Sequence, residues 1–137
     1  MSKIVFTNGC FDVIHRGHIE LFKFCKQHGD ILIIGLNSDS SVSILKGKSR
    51  PINNQDDRKE MLMSIRYIDR IIIFDELTPH KLIETVKPDV LVKGGDYDVN
   101  VTDINDKKYI VGKDIVKETI VFPYICGYSS TNILSRI

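Results

Sequence analysis

Five short β-rich runs, at residues 3–7, 31–36, 71–74, 90–92 and 119–122, alternate with stretches whose apolar residues recur at helical spacing. Strands separated by helices lie side by side in parallel, and the intervening helices have to cover both faces of the sheet. The run at 31–36 is apolar throughout, as a strand buried on both faces must be. The order β-α-β-α-α-β-α-β-loop-β-α predicts a Rossmann-like three-layer α/β/α fold. A five-stranded parallel sheet with right-handed crossovers is expected, in a single domain over residues 1–137. Ligands of such sheets bind beyond the carboxyl ends of the strands, where residues 8–18, 35–39 and 93–96 begin.

Local signals place the helices. Leu21, Phe22, Phe24 and Cys25 predict a helix over 19–28, with Gly29 in the left-handed position that ends it. Ser38 or Asp39 can cap a short helix through Leu45, followed by a basic loop, 46–51. Asn54 can cap a helix to about Ile68, with Met61, Leu62, Ile65 and Ile68 facing inward and Asp56 and Asp57 at the positive end of its dipole. Thr78 followed by Pro79 reads as an N-cap with proline at the first helical position, for a helix to Val86. Residues 97–113 carry no clear period, and Ser129, Ser130 and Thr131 offer caps to a closing helix.

Composition narrows the function. Nineteen Lys and Arg against eighteen Asp and Glu leave a net charge of +1, so no bulk excess points to nucleic acid, and any anion site has to be local. The apolar runs fall far short of the roughly 18 residues that cross a bilayer. No secretory signal opens the chain, so a cytoplasmic location without membrane contact is expected. Cys10, Cys25 and Cys126 are odd in number and widely separated, which fits free thiols in a reducing compartment.

Residues 7–18, Thr-Asn-Gly-Cys-Phe-Asp-Val-Ile-His-Arg-Gly-His, join the first strand to the first helix. Two imidazoles three residues apart at a helix start face the same side as the unsatisfied backbone N–H groups and make a pocket for polyphosphate. Their hydrogen bonds would strengthen as charge develops on phosphoryl oxygens. Spacing alone leaves a packing role or a zinc site open. A structural zinc site would want further Cys or His close by, and Cys25, His28, His80 and Cys126 are scattered. His28 and His80 read as helix-end residues, and Cys10 has no neighbouring base to make it a nucleophile.

Set within Gly9-x-Phe11-Asp12-x-x-His15-x-Gly17-His18, the pair resembles the signature of the nucleotidyltransferase superfamily that includes the cytidylyltransferases, pantetheine-phosphate adenylyltransferase and the class I aminoacyl-tRNA synthetases. The resemblance covers essentially the whole chain. Within that superfamily, residues 7–12, Asn37-Ser38-Asp39, Leu45-Lys46-Gly47 with Ser49-Arg50-Pro51, Val92-Lys93-Gly94-Gly95-Asp96-Tyr97 and Ser129-Ser130-Thr131-Asn132-Ile133 are similar to the adenylyltransferases of ADP-heptose synthesis, in their free-standing form. The resemblance implies transfer of AMP from ATP to D-glycero-β-D-manno-heptose 1-phosphate, with release of pyrophosphate. It implies His15, His18 and Lys46 as catalytic residues. Thr7, Asn8, Gly9, Cys10, Phe11, Gly17, Lys93, Gly94, Asp96, Ser129, Ser130 and Thr131 would join the histidines in holding the nucleotide. Asp12, Asn37, Asp39, Lys46, Arg50 and Arg58 would hold the acceptor. Mg²⁺ would ride on the triphosphate with no protein cage, and a homodimer is expected.

Glycerol-3-phosphate cytidylyltransferases, which use CTP, are the second resemblance. Their Arg-Thr-Glu-Gly-Ile-Ser-Thr-Thr is replaced here by Tyr124-Ile125-Cys126-Gly127-Tyr128-Ser129-Ser130-Thr131. An adenylyltransferase like FAD synthase is the third, and a nucleotide-binding protein without turnover the fourth. Retention of His15, His18 and Lys46 together argues against the last, because binding alone does not require all of them.

Overall fold

The structure, a computed structural model, describes residues 2–123. Strands β1 (Ile4–Gly9), β2 (Ile31–Asn37), β3 (Arg70–Phe74), β4 (Val90–Gly94) and β5 (Glu118–Phe122) alternate with helices α1 (Arg16–Lys26), α2 (Asp39–Lys46), α3 (Gln55–Met63) and α4 (His80–Val86). The strands form one sheet in the order β3-β2-β1-β4-β5, every pair parallel. The Rossmann-like expectation is met. The closing helix expected after Ser129 lies outside the described residues.

Side-chain alternation along the strands builds two cores. On one face Val5, Leu32, Ile34, Val90 and Val92 pack with Leu21, Phe22 and Cys25 of α1 and Leu62 of α3. On the other, Phe6, Ile33 and Leu91 pack with Ile83 of α4 and with Ile110 from the segment between β4 and β5. Each fully buried Leu, Ile or Phe contributes about 1.5–3 kcal/mol, so the two clusters carry the fold. The sheet is thus covered on both faces, giving the three layers.

Four local expectations are corrected. Helix α1 starts at Arg16 rather than Ile19, because His15 caps it with a side chain not usually found there. Gly29 does not take the left-handed conformation; its requirement is space, since a Cβ would stand 2.6 Å from Val5 and 2.8 Å from the Lys3 carbonyl. Helix α3 stops at Met63 instead of reaching Ile68, and Met61 is exposed while Arg58 and Leu62 are buried. Thr78 does not cap α4, whose N-cap is Pro79 with no side-chain bond. No described helix is long and apolar enough to cross a membrane.

Candidate active site

Strand β1 passes through α1 to β2 on one side, whereas the chain returns from β3 through α4 to β4 on the other. The strand order reverses between β1 and β4, and a crevice opens there beyond the strand ends. A cavity of about 560 Å³ occupies it. Asn8, Gly9, Cys10, Phe11, His15, Gly17 and His18 line it from β1, α1 and the turn between them, Lys46 from the end of α2, Arg50 from the loop after it, and Lys93 and Gly94 from β4. These residues, distant in sequence, are the expected ones, brought to one place.

The turn from β1 to α1 is tight. Phe11 adopts φ 46°, a region disfavoured for residues with a side chain, and its ring packs so close to Gly9 that a Cβ there would lie 3.0–3.3 Å from it. That same ring meets His18 edge-on at 5.4 Å and Phe22 at 5.3 Å, so the turn is held against the core.

His15 and His18 then cap α1 reciprocally. The Gly17 amide donates to His15 Nδ1 and the His15 amide donates to His18 Nδ1, each at 3.1 Å. This is a capping box with histidine in both side-chain roles. Accepting an N–H requires a lone pair, so both Nδ1 atoms are unprotonated and the proton of each neutral ring sits on Nε2. The rings lie 3.8 Å apart, tilted by 30°. Burial lowers the pKa of His15, and burial together with the neighbouring His15 lowers that of His18 to about 3. Two neutral N–H donors are the result. The amides of His15, Gly17 and His18 are engaged within the helix start, so contrary to the sequence expectation they are not spare donors; the helix offers its imidazoles and its dipole.

Lys93 supplies a second kind of donor. Its ammonium lies 4.8 Å from the centre of the Tyr97 ring, and burial, slightly offset by Cys10, pulls its pKa down to about 8. No carboxylate within 4.0 Å pairs with it among the described residues. A cation held in this way gains most from an incoming anion. Burial also raises the Cys10 thiol, against the pull of Lys46, Arg58 and Arg50, so a thiolate nucleophile is disfavoured.

Several expected ligands have other engagements. Asp12, 3% exposed, lines the cavity, but its carboxylate accepts from Arg50 Nε at 2.8 Å and from the amides of Ile52 and Asn53 at 2.7 and 2.8 Å. Burial opposes its charge, yet the Asn53 and Ile52 amides and Arg50 outweigh it and hold its pKa below the usual range. Asp12 therefore anchors the 50–53 loop at the edge of the cavity. Arg58, 1% exposed, does not reach the cavity; it donates to the carbonyls of Cys10, Asn37 and Asn53 and to Asp39. Asp39 likewise lies outside the lining, paired with Arg58 at 2.8 Å, whereas Asn37 lines the cavity. Thr7 is fully buried beneath the site with no partner for Oγ1 among the described residues, and Asp96 points to solvent near Lys108 at 3.7 Å. Ser129, Ser130 and Thr131 lie outside the described residues.

Sequence reasoning missed part of the cavity lining. Tyr97, Lys107, Tyr109 and Val111 line the cavity from the segment between β4 and β5, with Leu77, Thr78 and Pro79 beside them. Three aspartates organise that segment: Asp98, Asp103 and Asp106 each accept from the amide two residues on, at 2.8–2.9 Å. Asp followed by a turn was the one available signal. No cluster of three or more His, Cys, Asp or Glu suited to a metal occurs among the described residues.

A family model described as cytidylyltransferase-like matches residues 6–136. The chain is 51% identical over 136 residues to the bifunctional protein HldE of Aliarcobacter butzleri and 49% identical to that of Helicobacter pylori, in each case with 99% of this chain aligned. It spans only 27% and 28% of those relatives. Among solved structures, the lipopolysaccharide core biosynthesis protein of Thermoplasma volcanium superposes with a TM-score of 0.72 at 25% identity, covering 91% of this chain and 99% of that one. Pantoate-beta-alanine ligase of Francisella tularensis shares the fold at TM-score 0.65 and 17% identity, over 99% of this chain and 66% of that one.

Proposed function

The chain belongs to the cytidylyltransferase-like family, and from that premise we propose that it moves AMP from ATP to D-glycero-β-D-manno-heptose 1-phosphate, giving ADP-heptose and pyrophosphate. The observation that carries this reading is the pair of neutral imidazoles with protons on Nε2, lining one cavity together with Lys93. The Thr-Asn-Gly-Cys-Phe-Asp and Lys-Gly-Gly-Asp-Tyr segments support the adenylyl acceptor pair over CTP with glycerol 3-phosphate.

In this reading the triphosphate arrives as its Mg²⁺ complex, the cation being part of the substrate. A phosphate oxygen of the sugar attacks the α-phosphorus in line, and the bond to pyrophosphate breaks. Phosphoryl transfer of this kind asks for positioning and charge stabilisation and for no protein nucleophile. His15 and His18 donate from Nε2 to oxygens that gain charge in the transition state, while Lys46, Arg50 and Lys93 neutralise the leaving and incoming phosphates. The homodimer and the cytoplasmic setting belong to the same proposal; light scattering in solution tests the first. Pairing ATP or CTP with heptose 1-phosphate or glycerol 3-phosphate, and reading pyrophosphate release, tests the chemistry. Release with ATP and heptose 1-phosphate alone is expected. Release with CTP and glycerol 3-phosphate alone would replace the reading by the cytidylyltransferase.

A further inference from the structure

Asn53 is exposed and lines no cavity, yet three contacts converge on it. Its amide donates to Asp12 Oδ1 and its side-chain Nδ2 to the Asp12 carbonyl, both at 2.8 Å. Its own carbonyl accepts from Arg58 Nε at 3.0 Å, and Arg58 continues through Nη1 to the Cys10 carbonyl at 2.8 Å. The turn at 10–12 and the loop at 50–53 are therefore closed into a ring of hydrogen bonds by two side chains.

The ring also governs the position of Lys46. Arg58 Nη2 holds Asp39 at 2.8 Å at the start of α2, and Ser43 Oγ from the middle of α2 donates to the Arg50 carbonyl at 2.6 Å. Lys46 ends that helix, and Arg50 is tied to Asp12 at 2.8 Å. Lys46 and Arg50 reach the cavity on one arm, whose register with the histidine turn is set partly by Asn53, Arg58, Asp39 and Ser43, none of which lines the cavity. We propose that Asn53 and Arg58 form a latch that positions the Lys46–Arg50 arm against the His15–His18 turn, so that both are positioning residues for triphosphate. This rests on the nucleotidyltransferase reading only for the identity of the anion.

An unlatched arm has to be ordered by the ligand itself, and misplacement of about 1 Å can cost up to about 100-fold. Asn53→Ala removes one side-chain bond at an exposed position and keeps the amide contact to Asp12, so it folds where Arg58→Ala, which vacates a buried charged site, need not. Binding of inorganic tripolyphosphate by calorimetry is the test, made on wild type, Asn53→Ala, Lys46→Ala and the double variant, with thermal unfolding alongside. The expected result is an affinity about tenfold lower for Asn53→Ala at an almost unchanged melting temperature. The double variant should bind no worse than Lys46→Ala, because a latch without its lysine has less left to place. Unchanged affinity in Asn53→Ala, losses that add in the double variant, or no binding by wild type would overturn the latch. If binding and its non-additivity persist while the nucleotide and acceptor pairs release no pyrophosphate, the latch stands and the proposed reaction falls.

Discussion

At the scale of single residues, the two histidines cap a helix through one ring nitrogen, and the proposed reaction uses the other. Nδ1 holds the helix start and leaves Nε2 for the proposed chemistry, so the two roles can be separated. Glutamine is the ordinary third residue of a capping box. His18→Gln is therefore expected to unfold near the wild-type temperature while the transfer rate falls by about 10²–10³, the usual loss for one donor to developing charge. His18→Ala should lose the cap as well, at about 0.5–2 kcal/mol by urea unfolding. The depressed histidines also set a pH dependence. Between pH about 6.5 and the folded-state value of about 3, the unfolded chain binds protons that the folded His18 refuses, so stability falls as pH drops through that window. Asp12, Asp69 and Asp89, whose pKa values are lowered in the fold, withdraw their contribution only below about pH 3.8. Urea titrations at stepped pH should show the first loss beginning near pH 6.5 and shrinking in His18→Gln. The sequence made His15 and His18 legible as a pair; their tautomers were not, because they depend on which amides point at Nδ1. The protein partners of Arg58 and Asp12 were illegible for the same kind of reason. A charged residue beside a strand end reads alike whether its partner is a ligand or a backbone carbonyl.

At the scale of elements, the five strands and the four described helices follow from periodicity and caps, and the departures occur where packing overrides them. Helix α3 shows this. Arg58, Leu62 and Ile65 share a spacing of four and three, which puts a cation on the stripe that an apolar count assigns to Met61. The segment between β4 and β5 has no period because its Asx turns, and the plug of Ile110 into the core, set its path. The junction of α1 with β2 is equally a matter of fit. Gly29→Ala forces a methyl into Val5 and into backbone, and is expected to cost about 1–3 kcal/mol in urea unfolding without altering pyrophosphate release. A cost near zero would mean that the junction relaxes freely.

At the scale of the whole molecule, a net charge of +1 conceals a strongly polarised interior edge. Lys46, Arg50 and Lys93 line the crevice where the strand order reverses, the first two from the connection between β2 and β3 and the third from β4. Alternation of strands and helices foretold that crevice; only the three-dimensional arrangement shows that Lys93 is half-buried beside an aromatic ring, with no described carboxylate within reach. A cation partly stripped of water, with no carboxylate beside it, costs the fold stability. Lys93→Met should raise the melting temperature at pH 7 while weakening ATP binding at least tenfold, since a charge-assisted bond to phosphate is worth about 1.5–3 kcal/mol. The most direct test of the account is to follow the fate of ATP labelled at the α-phosphate in the presence of heptose 1-phosphate. Label recovered in a nucleotide sugar, with the β- and γ-phosphates released together as pyrophosphate, is the predicted result; label recovered in free ADP or AMP, with none joined to the sugar, would contradict it.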